Sequence, residues 1–208
     1  MKKTLSIIVF WGAVWGIIEA TFGYILHVAS FGVGGAILFP IGFYLMKKAK
    51  VESDNLKAIF LTSVVASLIK LVDLTLPYKT IFKVINPAVS ILFEGLIVFA
   101  VFYVIQNKEN FSKYKLVQSL ALGLGWRSLY AVYLLFLPAN IIKVSPIGSF
   151  SSFVTFFAVD GLINSAIIYT YLKLSEIKPM KNIPLKIKSN PVIACLTLAV
   201  AIFIQYRV

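Results

Sequence analysis

The chain has 208 residues, 60% of them hydrophobic and 13% charged, with a mean hydropathy of +0.91. That balance excludes a soluble domain, because apolar runs long enough to cross a bilayer recur along its whole length. The net charge of +12 does not indicate nucleic acid, since the lysines lie in short segments between apolar runs and no soluble basic face exists to carry it. The single cysteine, Cys195, rules out an internal disulfide and a CxxC metal site.

The first predicted span runs from about Ser6 to His27. Lys2 and Lys3 before an apolar run imitate a secretory signal, but the run continues past Glu19 and is too long for a signal core. A turn, Val28 to Val33, leads to a short second span, Gly34 to Met46, containing Pro40, and then to an aqueous loop, KKAKVESDNLK. The third span covers about Ala58 to Leu76. The fourth, about Asn86 to Ile105, is read as starting at Asn86-Pro87. The loop QNKENFSKYK precedes a fifth span, about Leu116 to Leu137. A loop with Lys143 and Pro146 precedes a sixth, about Ser149 to Leu172.

A lysine- and proline-rich cytoplasmic segment, 173–190, separates this six-helix body (about 6–172) from an appended hydrophobic helix, 191–205. The expectation is therefore one all-α polytopic membrane domain over 1–208, with six core transmembrane helices and a seventh at the C-terminus. With a cytoplasmic amino terminus, fourteen basic residues fall on the inner side and four on the outer, which orients the chain in the cell membrane. A re-entrant second span would place the lysines at 47–57 outside.

Six ionisable residues lie inside predicted spans: Glu19, Lys70, Asp73, Glu94, Arg127 and Asp160. A charge in hydrocarbon costs about 2.5–3.5 kcal/mol on insertion scales and normally faces a bundle interior or a water-filled cavity. Counted from the apolar run ends, Glu19, Glu94, Arg127 and Asp160 fall roughly 12–17 Å below the outer boundary, near one plane. Lys70 and Asp73 sit higher and, three residues apart, can pair with each other. Four acids against two bases leave two carboxylates to be protonated, hydrated or matched by a ligand. The candidate ligand-binding set is Glu19, Glu94, Arg127, Asp160, Trp15, Asn164, Lys70, Asp73 and His27. Structural ion pairing between helices is the competing reading, and a proton relay the third.

On the first helix, Trp11, Trp15, Glu19, Gly23 and His27 form one stripe. Gly12, Gly16 and Ala20 form a second, smooth one that can receive a neighbouring helix. Several chemistries are excluded. One histidine cannot make a di-iron histidine cluster or a HExxH zinc site, so no metal centre is expected. GxxxxGK[ST], GxGxxG and GxSxG segments are missing, so neither nucleotide hydrolysis nor serine hydrolysis is expected. No catalytic residue and no cofactor is assigned, and the chain is read as a non-enzyme.

Together these features resemble the substrate-binding subunit (S component) of energy-coupling factor transporters, small six-helix membrane proteins of about this length. The resemblance implies capture of a vitamin or metal ion from outside, in a pocket between helices. It also implies energy from partner ATPases, and contact of small first-helix residues with a membrane coupling subunit. Gly12, Gly16 and Ala20 would fill that last role. The seventh run after Pro191 and the depth of the charged plane depart from the family pattern. The expected function is a membrane-embedded solute-binding subunit for a small polar or cationic solute. A self-contained ion- or proton-coupled carrier is the first alternative, and a non-transporting membrane scaffold the second.

Overall fold

The computed structural model describes residues 2–28, 34–77, 80–107, 113–177 and 190–207. The turn expected at 28–33, most of the loop at 108–112 and most of the basic segment at 178–189 lie outside those residues. So does the side chain of His27, although its backbone belongs to the first helix. Among the described residues every regular element is helical. The helices are α1 (Lys2–Val28), α2 (Gly34–Ser53), α3 (Lys57–Lys70) continued by a 3-10 turn (Leu71–Thr75), and α4 (Ile81–Asn107). They are followed by α5 (Lys115–Leu135), the short α6 (Ala139–Lys143), α7 (Phe150–Val154), a π-helical turn (Thr155–Val159), α8 (Asp160–Ile177) and α9 (Pro191–Arg207). Among the described residues, four stretches are long and apolar enough to cross a membrane: Lys3–Leu26, Lys57–Thr75, Ile81–Asn107 and Phe150–Ser175.

Two boundaries differ from those expected. The second helix does not stop at Met46 but runs to Ser53, so most of the expected aqueous loop is helix. Lys, Ala and Glu are good helix formers, so charge alone does not end a helix. The reversal is made instead at Asp54, which takes a left-handed backbone (φ 49°), and at Asn55, whose Oδ1 accepts from the Lys57 amide at 2.9 Å. Nor does α4 start at Asn86-Pro87. It starts at Ile81 and carries Pro87 inside it. The two later helix starts are capped as their sequences suggest. Ser149 Oγ accepts from the Ser152 amide at 3.1 Å, and Asn190 Oδ1 accepts from the Ile193 amide at 2.8 Å.

The helices fall into two compact units, Met1–Phe99 with Pro184–Val208, and Ala100–Ile183. In the first unit α1 is the hub, packed against α2, α3 and α9. Its contacts fix the directions. A Cβ at Gly12 would lie 2.5 Å from Val65, and one at Gly16 would lie 2.8 Å from Ile69, so α1 and α3 run parallel. Gly23 lies against Leu38 and Trp15 against Gly42, while Trp11 Nε1 donates to Glu52 at 2.9 Å, so α2 runs antiparallel along most of α1. Gly95 lies against Ser63 and Phe60, and Ser67 Oγ donates to the Ala88 carbonyl at 2.9 Å, which sets α4 antiparallel to α3.

The C-terminal run, expected as an appended helix, packs along α1 within this unit. Ala13, Ile69 and Ala201 form one buried cluster, and the small residues let the backbones approach closely. Cys195 is on the exposed side of α9.

In the second unit α5 and α8 form an antiparallel pair. Gly123 meets Ser165 and Gly161, and a Cβ on Gly161 would lie 2.6 Å from Leu124. The π turn explains how Phe156 and Gly161, five residues apart, both reach α5, since its i to i+5 hydrogen bonds bring that spacing onto one face.

Candidate functional site: the buried charges

The spacing on α1 puts Trp15 one turn before Glu19, and the indole Nε1 donates to Glu19 Oε1 at 3.1 Å. Trp15 is fully buried, with its ring edge against Gly42, so its orientation is set by packing. Trp15, one of the candidate ligand-binding residues, thus spends its indole N–H on holding Glu19. Glu19 itself is half-buried, and its Oε2 makes no hydrogen bond to another described residue. Lys70, in the last turn of α3, lies near enough for its charge to act on Glu19. Lys70 also pairs with Asp73 in the 3-10 turn at 3.6 Å, the contact expected from their spacing. Asp73 is buried and Lys70 is partly open.

Glu94 does not join this group. Gly16 lies against Ile69, so Glu19 falls level with the start of the 3-10 turn, whereas Glu94, next to Gly95, falls level with Ser63. The separation along α3 is about eight residues, or about 12 Å at 1.5 Å of rise per residue. The expectation that Glu19 and Glu94 share one plane therefore fails. Its cause is the misplaced start of α4, which lies five residues before Asn86 and puts Glu94 deeper than counting from Asn86 implied. Glu94 is buried on α4.

The remaining members lie in the second unit. Arg127 is wholly buried on α5, its guanidinium 4.3 Å from the Trp126 ring and 5.0 Å from the Phe156 ring. Arginine suits such a place because its flat, weakly hydrated cation stacks on aromatic faces. Asp160, buried at the start of α8, lies within reach of the Arg127 charge, and Asn164 is buried one turn on. Tyr130 completes the aromatic wall with its ring 6.0 Å from Phe156.

The smooth stripe of α1 is filled from within the chain. Gly12 and Gly16 receive Val65 and Ile69 of α3, and Ala20 is buried. As partner-helix interface residues, Gly12 and Gly16 are thus already occupied, because the close approach that glycine permits is made by α3. A cavity of 230 Å³ lies elsewhere in the first unit, lined by apolar residues including Val9, Leu68, Val72, Leu198 and Ile202 and not by the charged group. Among the described residues no three His, Cys, Asp or Glu side chains come together to hold a metal ion.

Two functional-looking groups went unforeseen. Glu52, read as a solvated loop charge, accepts the Trp11 indole. Gln205, near the end of α9, is 1% exposed, with an Oε1 that has no hydrogen-bond partner among the described residues. Comparison with protein families, with curated proteins and with solved structures finds no match for this chain.

Proposed function

We propose that this chain is a membrane-embedded solute-binding subunit, capturing a small polar or cationic solute through Glu19 at the outer part of its first helix. The observation that carries the reading is the asymmetry of that carboxylate. Trp15 fixes Oε1 at 3.1 Å, while Oε2 makes no hydrogen bond to a described residue. A half-buried carboxylate with one oxygen held and one left over is an oriented acceptor, and binding sites use few such groups to fix a ligand. The electrostatics agree: Lys70 pairs with Asp73 at 3.6 Å while its charge also acts on Glu19, so Glu19 does not have that cation to itself.

The resemblance to S components adds a membrane coupling subunit and partner ATPases to this proposal. Such a subunit would dock on a surface other than Gly12 and Gly16, which α3 occupies. A self-contained carrier would use the same carboxylate and would transport without partners. The scaffold reading is favoured by a different observation, the closeness of Lys70 to Asp73 and of Arg127 to Asp160 within their own units.

Mass spectrometry of small molecules retained by the detergent-purified protein separates these readings. The expected result is a retained polar compound that is lost in Glu19→Gln, with the variant still folded. Equal retention by both proteins removes Glu19 from the site. Co-purification with a membrane protein and ATPases, and no uptake by the chain alone in vesicles, distinguishes the subunit from the carrier.

A further inference from the structure

We propose that the connector between α5 and α7, residues 136–149, is a membrane-interface wedge seated among the headgroups and upper acyl chains of the outer leaflet. The inference goes beyond the solute-binding reading and does not depend on it. Over residues 135–159 no side chain is buried, and Lys143 is the only charged residue in that stretch. Phe136, Val144 and, at the edge of the connector, Phe150 are each 83% exposed. Bare apolar side chains in such a run call for a cover, because proteins rarely leave a contiguous apolar patch open to water. The turn at Asp54 and Asn55, by contrast, sits between Glu52 and Lys57 and has charge to spend on solvent.

The backbone of the connector is arranged for a place poor in water. The Ile141 and Ile142 amides donate to the Pro138 carbonyl at 2.8 and 3.1 Å, and those of Val144 and Ser145 donate to the Ile141 and Ile142 carbonyls at 3.3 and 3.0 Å. The Ile147 amide donates to Ser145 Oγ at 3.3 Å, and the Gly148 amide to the Ser145 carbonyl at 3.0 Å. Pro138 and Pro146 have no N–H to satisfy. Gly148 closes the loop: a Cβ there would collide with the carbonyl oxygens of Ile142 and Lys143, so glycine is what lets the chain fold back on α6. Apolar side chains thus project from a backbone that meets many of its own hydrogen bonds.

Position selects the bilayer as the cover. The connector leads directly into Phe150–Ser175, a stretch long and apolar enough to cross a membrane. Because α5 and α8 run antiparallel, both ends of the connector lie at one end of that span. The lysine-rich segment after α8 marks the cytoplasmic end, which leaves the connector at the outer one. Irregular backbone facing lipid does not occur within the hydrocarbon core, and Asn140 and Ser149 are exposed, so the depth is interfacial. At that depth apolar side chains reach about 5–10 Å into the headgroup–acyl boundary, while Lys143 extends its ammonium back to the lipid phosphates.

The test is spin labelling of the full chain in phosphatidylcholine nanodiscs. Cys195→Ser first removes the exposed native thiol, and Phe136→Cys and Val144→Cys then each place a single label. Both positions are largely exposed, so a label there leaves the packing undisturbed. Collision with oxygen, which concentrates in hydrocarbon, is expected to exceed collision with a water-soluble nickel chelate at both positions, at a depth of about 5–10 Å. Chelate contact that exceeds oxygen contact at either position places the connector in water and overturns the proposal. A label shielded from both reagents means that a second copy of the chain or another protein covers the connector, and overturns the proposal equally.

Discussion

The two units treat buried charge in opposite ways. In the second, Arg127 is enclosed by aromatic faces and its charge acts on the buried Asp160. In the first, Lys70 is partly open and pairs with Asp73 while also acting on Glu19, Glu94 is buried deeper on α4, and the Glu19 carboxylate is clamped through only one of its oxygens. An enclosed cation beside a buried acid can hold helices together. An oriented acid with one oxygen left over is what the proposed solute site requires. Burial alone does not separate the two, whereas a leftover acceptor such as Glu19 Oε2 does.

The contrast is broken most severely at Arg127. Arg127→Leu should lower the stability of the second unit by about 3–5 kcal/mol, because it strands a buried acid. Arg127→Leu combined with Asp160→Leu should recover most of that loss. Thermal unfolding in detergent measures both. A small effect of the single substitution would mean that the pair is not structural and would move Arg127 back among the ligand contacts. Gly16→Leu should come next, costing about 1–3 kcal/mol by overpacking against Ile69, without any change in solute retention. A loss of a partner subunit without loss of stability would instead return the glycine stripe to an intermolecular role.

Much of this arrangement was legible in the sequence, and the gaps have physical causes. The helical membrane class follows from apolar runs, and the Lys70–Asp73 pair follows from a spacing of three on one helix. The small-residue stripe was visible, but a stripe says only that something approaches closely, and Val65 and Ile69 of the same chain proved to be that something. Depth was the least legible quantity. Proline is tolerated within α4, so Asn86-Pro87 marked no boundary and Glu94 was set too shallow. The helix end at Ser53 was hidden because lysines that mark a membrane edge are also good helix formers. Gln205 gave no signal, since a lone glutamine near the end of an apolar run reads as a solvated terminus. Only the packing of α9 buries it.

The smallest stability effect sharpens the comparison further. Lys70→Met removes a cation that is about one-fifth exposed, so solvent already screens the 3.6 Å pair, and the expected stability cost is about 1 kcal/mol or less. Its effect on ligand should run the other way. Without Lys70 the Glu19 carboxylate loses a cation whose charge acts on it, so a cationic solute retained through Glu19 should bind more tightly, and the gain should shrink as salt is added. The equivalent removal of Arg127 in the second unit should destabilise and should give no gain in binding. Calorimetric titration at low and high ionic strength reads the sign. If Lys70→Met weakens binding of the retained solute instead, Lys70 is a contact or positioning group of the site rather than an internal competitor for Glu19.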